Sequence, residues 1–156
     1  MSQPEAPESR LRALGLTLPP APRPVAAYVP FVRSGNLVFV SGQIPMKDGS
    51  LMATGRVPDQ VDMATAIACA RQCALNGLAV VRDATGSLDR VRRVVRLGVF
   101  VSAQPGFHDE PKVGNGASEL MVQVFGEAGR HARAAVGASD LPLGAPVEVE
   151  FVFEVE

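Results

Sequence analysis

The chain has 156 residues, 47% of them hydrophobic and 20% charged, which is enough apolar material for one globular core and too little length for two ordinary domains. Fifteen Lys and Arg against sixteen Asp and Glu leave a formal charge of −1, so composition gives no argument for a nucleic-acid or anionic-membrane partner. Reactive side chains are scarce: no Trp, one Tyr (Tyr28), two His (His108, His131) and two Cys (Cys69, Cys73) leave little for a conventional metal site or catalytic triad.

Residues 1–23 are rich in Pro, Glu, Arg and Ser and include the run Leu18-Pro19-Pro20-Ala21-Pro22-Arg23-Pro24. They predict a short helix or tail followed by an extended lead-in, an N-terminal extension to a folded unit that starts near Val25 and fills 24–156. Tyr28 to Val32 and Leu37 to Ser41 are apolar runs either side of Ser34-Gly35-Asn36, the chemistry of a hairpin turn, and Pro30 restricts the first strand to an edge or bulged position. A second loop is expected at Lys47-Asp48-Gly49-Ser50.

From Asp59 to about Asp83 helix formers dominate, with Asp59 as candidate N-cap and Gly86 as the stop. Apolar residues on nearly all sides predict a buried helix. Cys69 and Cys73 fall four apart within it, too tight a loop for a disulfide in regular helix, so both are expected to be free thiols. Residues 90–101 alternate: Val91, Val95, Leu97, Val99 and Val101 share one face, on which the period also puts Arg93, while Arg90, Arg92 and Arg96 share the other. Val113, Ala117, Leu120, Met121, Val124 and Phe125 recur at helical spacing opposite Glu119, Gln123 and Glu127, predicting a second helix that ends near Gly129. Ala132 to Ala138 predict a short strand. Val147, Val149, Phe151, Phe153 and Val155 alternate with Glu148, Glu150 and Glu154 in the clearest strand of all.

This order predicts an α+β domain, one mixed sheet with two helices on one face. The other face would carry arginines from one strand and Glu148, Glu150 and Glu154 from another, arranged for cross-strand pairing in a wet or subunit-facing setting. No apolar run approaches the ~20 residues of a membrane span and the N-terminus lacks a signal-peptide stretch, which makes the cytoplasm the expected compartment and membrane association unexpected.

Arg133 would sit at the start of a strand after a glycine-containing loop, among small residues that leave room for a ligand. Its planar fork suits a carboxylate, while its commonest alternative role is a structural ion pair. Gly114-Asn115-Gly116 lacks the context of a phosphate loop, Ser41-Gly42-Gln43 has no nearby His for a hydrolase elbow, and His108 and His131 read as surface or packing residues.

Taken in order, Pro24-Val25-Ala26-Ala27-Tyr28, Gly35-Asn36-Leu37-Val38-Phe39-Val40-Ser41-Gly42-Gln43-Ile44-Pro45, Ala132-Arg133, Leu141-Pro142 and Val147-Glu148-Val149-Glu150 resemble the Rid (reactive intermediate deaminase) family, also called the YjgF or endoribonuclease L-PSP family. The resemblance covers 24–155. It implies a chorismate-mutase-like fold assembled as a homotrimer, with ligand clefts between subunits and no metal or cofactor. The implied activity is hydrolysis of 2-iminobutanoate and 2-iminopropanoate to 2-keto acids and ammonia. By the same resemblance Arg133 holds the substrate carboxylate, Glu148 orients or activates water, and Tyr28 is the aromatic residue a neighbouring subunit contributes. Ser41 and Gly42 line the pocket, and Asn115 matches a family asparagine with one gap allowed. Where many members have a cysteine two residues after the arginine, this chain has Ala135. The competing expectations are a non-catalytic module for carboxylate metabolites, which Ala135 favours, and an RNA-cleaving protein, against which the near-neutral charge argues.

Overall fold

A computed structural model of the protein describes residues 5–23 and 27–156. Five strands form one sheet in the order β1-β2-β7-β5-β6: β1 (Phe31–Ser34), β2 (Leu37–Gln43), β5 (Val91–Ser102), β6 (Ala132–Ala138) and β7 (Val147–Val155). All neighbours are antiparallel except β5 and β6, whose parallel pairing is made possible by the intervening helix crossover. A two-stranded hairpin, β3 (Met46–Lys47) and β4 (Ser50–Leu51), occupies the expected second loop. Helices α2 (Met63–Thr85) and α3 (Glu110–Phe125) pack side by side on one face, α2 over β7 and β2 and α3 over β5 and β6.

The alternation of β7 explains this layering. Val147, Val149, Phe151, Phe153 and Val155 are buried beneath the helices, and the intervening residues face the uncovered side. Helix α2 does pass the length and apolarity test for a membrane span, with a mean hydropathy of 1.3 over 18 residues, contrary to the expectation of no such run. Two-thirds of that window (67%) is buried in the core, because a helix sandwiched between a sheet and another helix needs apolar residues all round.

Three expectations need correction. The N-cap of α2 is Asp62, whose Oδ1 accepts the Thr65 N–H at 2.7 Å, whereas Asp59 lies in the preceding turn paired with Arg56 at 3.1 Å. The helix end is as expected, Gly86 adopting a left-handed φ of 85°. The first strand begins at Phe31, not Tyr28. In β5, Val94 is buried, Val95 half-buried and Arg93 exposed, the reverse of strict alternation. Two bulges cause this: Val91 and Arg93 face consecutive β7 residues, as do Val94 and Arg96, so each bulge adds one residue and the phase returns by Leu97.

The start of the folded unit expected at 24–25, and the Pro24-Val25-Ala26 part of the family motif, fall on residues 24–26, which lie outside the described residues. Upstream of them the chain is built into the same core. Helix α1 (Pro7–Ala13) packs on α3, and Leu11 and Leu18 are 3% and 6% exposed within the main cluster.

On the uncovered face Arg96 pairs with Glu150 at 3.0 Å, and Arg93 stands opposite Glu154 in register. No salt bridge forms there for Arg90, Arg92 or Glu148 among the described residues. Between the charges the face carries apolar side chains with large exposed areas, Val32, Phe39 and Val136 at 54%, 45% and 46%.

Candidate functional site

Arg133 projects from edge strand β6 on the helix side, sharing a face with buried Leu97, and passes under the first half of α3. Its Nη1 donates to Asn115 Oδ1 at 2.9 Å and to Ser118 Oγ at 3.1 Å, and its Nη2 donates to the Pro111 carbonyl at 3.3 Å. Gly114 makes room, since a Cβ there would stand 3.1 Å from Nη1. A guanidinium has five N–H donors, three of which are used here. The Nε and the second Nη2 donor form an edge with no protein acceptor, and no acidic side chain lies within salt-bridge distance of Arg133 among the described residues. That edge has the geometry for two parallel bonds to a carboxylate. The alternative of a structural ion pair finds no partner here. Asn115 belongs to the same cluster as Arg133, and Ala135 lies two residues along the strand, half-buried against the core.

Glu148 lies on β7, between buried Val147 and Val149, so it faces the uncovered side in register with Phe100 of β5. Its carboxylate lies against Gly42, where the register of β2 slips between Val40 and Gln43. A Cβ at position 42 would fall on Glu148 Oε1. Burial is the main influence raising the Glu148 carboxyl above the ordinary 4.5, and the nearby Glu150 charge adds to it. A carboxylate of this kind is a stronger base than an exposed one.

Tyr28, Ser41 and Gly42 line one cavity of about 530 Å³, with apolar walls from Pro30, Ile44, Met46 and Leu143. Ser41 fixes its entrance: its Oγ donates to the Val29 carbonyl at 2.7 Å and its N–H to the Pro30 carbonyl at 3.0 Å. Asn76, buried in α2, fixes the opposite wall by donating to the carbonyls of Ile44 and Met46, each at 3.1 Å, and accepts from Gln72 at 3.1 Å. Sequence reasoning missed this pair. Its signal was a Gln and an Asn four residues apart in an otherwise apolar helix, where burial of amides demands partners.

Within one chain the candidate residues therefore form two groups. Tyr28, Ser41, Gly42 and Glu148 cluster around the β2–β7 pair, while Arg133 and Asn115 lie at the β6 edge. Strand β5 separates β6 from β7, about 10 Å between their axes at a spacing of ~4.8 Å per strand, and the side chains leave opposite faces of the sheet. His108 is exposed in the loop before α3, and His131 is half-buried beside the arginine cluster. Cys69 and Cys73 are free and buried, and Cys73 lies beneath β7 with its thiol 3.8 Å from the carbonyl of Val147, next to Glu148.

A five-stranded mixed sheet with two helices packed on one face defines an α+β fold of the chorismate-mutase-like class. The chain belongs to the YjgF/chorismate mutase-like family, whose model matches residues 8–155 and whose description carries a provisional endoribonuclease label. The match begins within α1, in the segment read from sequence as an extension. The chain is 45% identical over 148 residues to Protein TCP17 of Trypanosoma cruzi, covering 94% of this chain and 92% of the relative. It is 32% identical over 142 residues to a 2-iminobutanoate/2-iminopropanoate deaminase of Dermatophagoides farinae, covering 90% and 95%. A crystal structure of an Agrobacterium tumefaciens protein with unknown function superposes with a TM-score of 0.88 at 48% identity, covering 96% of this chain and 92% of that one.

The Gly42 contact gives a test of this grouping. Gly42→Ala should push the Glu148 carboxylate aside. Because the obstacle is the mobile end of a side chain, the melting temperature should change little, while, with Glu148 as the base of the reaction proposed below, turnover falls roughly 10- to 100-fold, the effect of displacing such a group by about 1 Å. Unchanged kinetics in this variant would show that the position of Glu148 does not matter.

Proposed function

We propose that the protein is a hydrolytic deaminase of small 2-imino acids of the 2-iminobutanoate and 2-iminopropanoate type, acting in clefts between the subunits of a homotrimer. The free Nε/Nη2 edge of Arg133, held by Asn115, Ser118 and Pro111, is the observation that carries this reading. The deaminase relative supports it. In the proposed reaction Arg133 binds the substrate carboxylate and places the iminium carbon. Glu148 takes a proton from water as the oxygen adds to that carbon. The proton then passes to the nitrogen of the resulting carbinolamine, the C–N bond breaks as Glu148 takes the hydroxyl proton, and the 2-keto acid leaves with ammonia, which carries that proton away as ammonium. The iminium carbon is already electrophilic, so positioning and one base supply much of the acceleration, and the reaction as proposed uses no metal or cofactor.

A second copy is needed because one chain keeps Arg133 and Glu148 apart. The uncovered sheet face, with Val32, Phe39 and Val136 exposed, supports such packing. Sedimentation should give three times the 16.4 kDa of one chain. The activity is tested by generating 2-iminopropanoate enzymatically from an amino acid and following its decay. Faster decay and matching pyruvate release with the protein present support the reading, and decay at the buffer rate overturns it.

Ala135 favours a second reading, a non-catalytic module that binds carboxylate metabolites at Arg133. Thermal stabilisation by pyruvate or 2-ketobutyrate without turnover of any imine would select it. The family's endoribonuclease label would be supported instead by cleavage of RNA incubated with the pure protein.

A further inference from the structure

We propose that His131, acting through the Ser118 hydroxyl, is a positioning residue that fixes the Arg133 guanidinium for carboxylate capture. The inference rests on the role given to Arg133 above. The hydrogen bonds form one directed chain whose protons can be placed from chemistry alone. His131 Nδ1 lies 2.6 Å from the Gly129 carbonyl, which can only accept, so Nδ1 carries a hydrogen. In the neutral ring Nε2 is then an acceptor, and it lies 2.9 Å from Ser118 Oγ, which must donate to it. With its hydrogen committed to the imidazole, Ser118 turns its lone pairs toward Arg133 Nη1 at 3.1 Å. Asn115 takes the other Nη1 hydrogen and Pro111 one of the Nη2 hydrogens, so the plane of the guanidinium is set from three sides.

The imidazole does this only when neutral. A protonated ring would present Nε2–H to the same serine oxygen that already accepts from Arg133. The Ser118 hydrogen would lose its partner, and two cations would converge on one atom. Burial is the main influence that keeps the His131 pKa below 6.5, the Arg133 charge pushes the same way, and the Gly129 carbonyl opposes them. Of the nearby charged groups, the Arg133 guanidinium on β6 acts on His131; Arg130 in the preceding turn is paired with Glu127 at 3.1 Å, and Arg93 on β5 and Glu154 on β7 line the same groove as His131. From α3 it meets the uncharged Ser118.

Two independent measurements test the proposal on the full chain. The first is NMR of the arginine side chains, which does not require activity: the wild type should show slowly exchanging Arg133 Nη hydrogens, lost in His131→Ala and in Ser118→Ala and largely recovered in His131→Gln, whose amide oxygen can accept the serine hydrogen. The second is pyruvate affinity against pH. His131→Ala should weaken binding roughly tenfold, the scale of one lost hydrogen bond to a charged network. Wild-type affinity should fall as acid protonates the imidazole, and His131→Gln should lose that acid limb. Persistence of the limb in His131→Gln would assign it to another group, such as Glu148, and would overturn the pH dependence. Unchanged Arg133 exchange and pyruvate affinity in His131→Ala would overturn the positioning role. Failure of the wild type to bind pyruvate, with Arg133 exchange still dependent on His131, would instead remove the ligand reading and leave the positioning intact.

Discussion

Arg133→Ala is expected to lower kcat/KM for imine hydrolysis by more than a hundredfold while leaving the fold intact. Two charge-assisted bonds to a carboxylate would be lost at about 1.5–3 kcal/mol each, and ~1.4 kcal/mol is a factor of ten, so the loss is at least ~3 kcal/mol of transition-state binding. Stability should barely move. The partners left behind, Asn115, Ser118 and the Pro111 carbonyl, border solvent and can bond water. Arg133→Lys is the sharper comparison, because it keeps the charge and removes the fork. If bidentate geometry is the point, Lys should recover little of the loss. Steady-state kinetics with enzymatically generated 2-iminopropanoate, alongside thermal melts, decide the matter, and equal activity of wild type and Arg133→Ala would refute the assigned role.

Glu148→Gln should separate activity from stability in opposite directions. Removing the proton acceptor should cost about 10²- to 10⁴-fold in rate, the usual range for a general base. The stability effect follows from linkage. A carboxyl whose pKa is raised in the folded state holds its proton there at pH values where the unfolded chain has released it. Stability therefore falls as pH rises from 4.5 through the raised folded value, and above that value the ionised Glu148 carries its full cost. Gln carries no such cost. The variant should melt higher than wild type near neutral pH and lose that advantage below 4.5, where both side chains are uncharged. Melts across this range, with kinetics on the same samples, provide the check. A variant no more stable than wild type at neutral pH would mean that Glu148 is not desolvated as described.

Sequence patterning conveyed the layering well because burial imposes strict periods on β7 and α3, whose apolar stripes survive intact in the structure. It conveyed β5 only in part. A bulge shifts the phase without any residue type announcing it, so Arg93 and Val94 exchange the environments their positions predict. Asp59 and Asp62 are chemically equivalent as caps, and only the path of the turn decides which carboxylate reaches Thr65. Leu11 and Leu18 were hidden by a Pro-rich surrounding that resembles a linker. The candidate site residues were expected from the family resemblance alone, and the contact between Arg133 and Asn115 came only with the structure. Their division between two faces of the sheet was not legible, because it depends on strand order. Nor was the part played by Ser118 and His131, since nothing in their local spacing links a helix residue to a loop residue 13 positions on.

The two cysteines bear on where such a protein can work. Both are fully buried, and burial raises the Cys69 thiol to about 11 and holds Cys73 well above 9.0. Neither thiol is poised to form a thiolate, and only thiolates react readily with oxidants and electrophiles. A chain whose proposed chemistry relies on a guanidinium and a carboxylate presents alkylating agents and oxidants with no ready thiolate, so conditions that disable cysteine-lined enzymes should spare the proposed turnover.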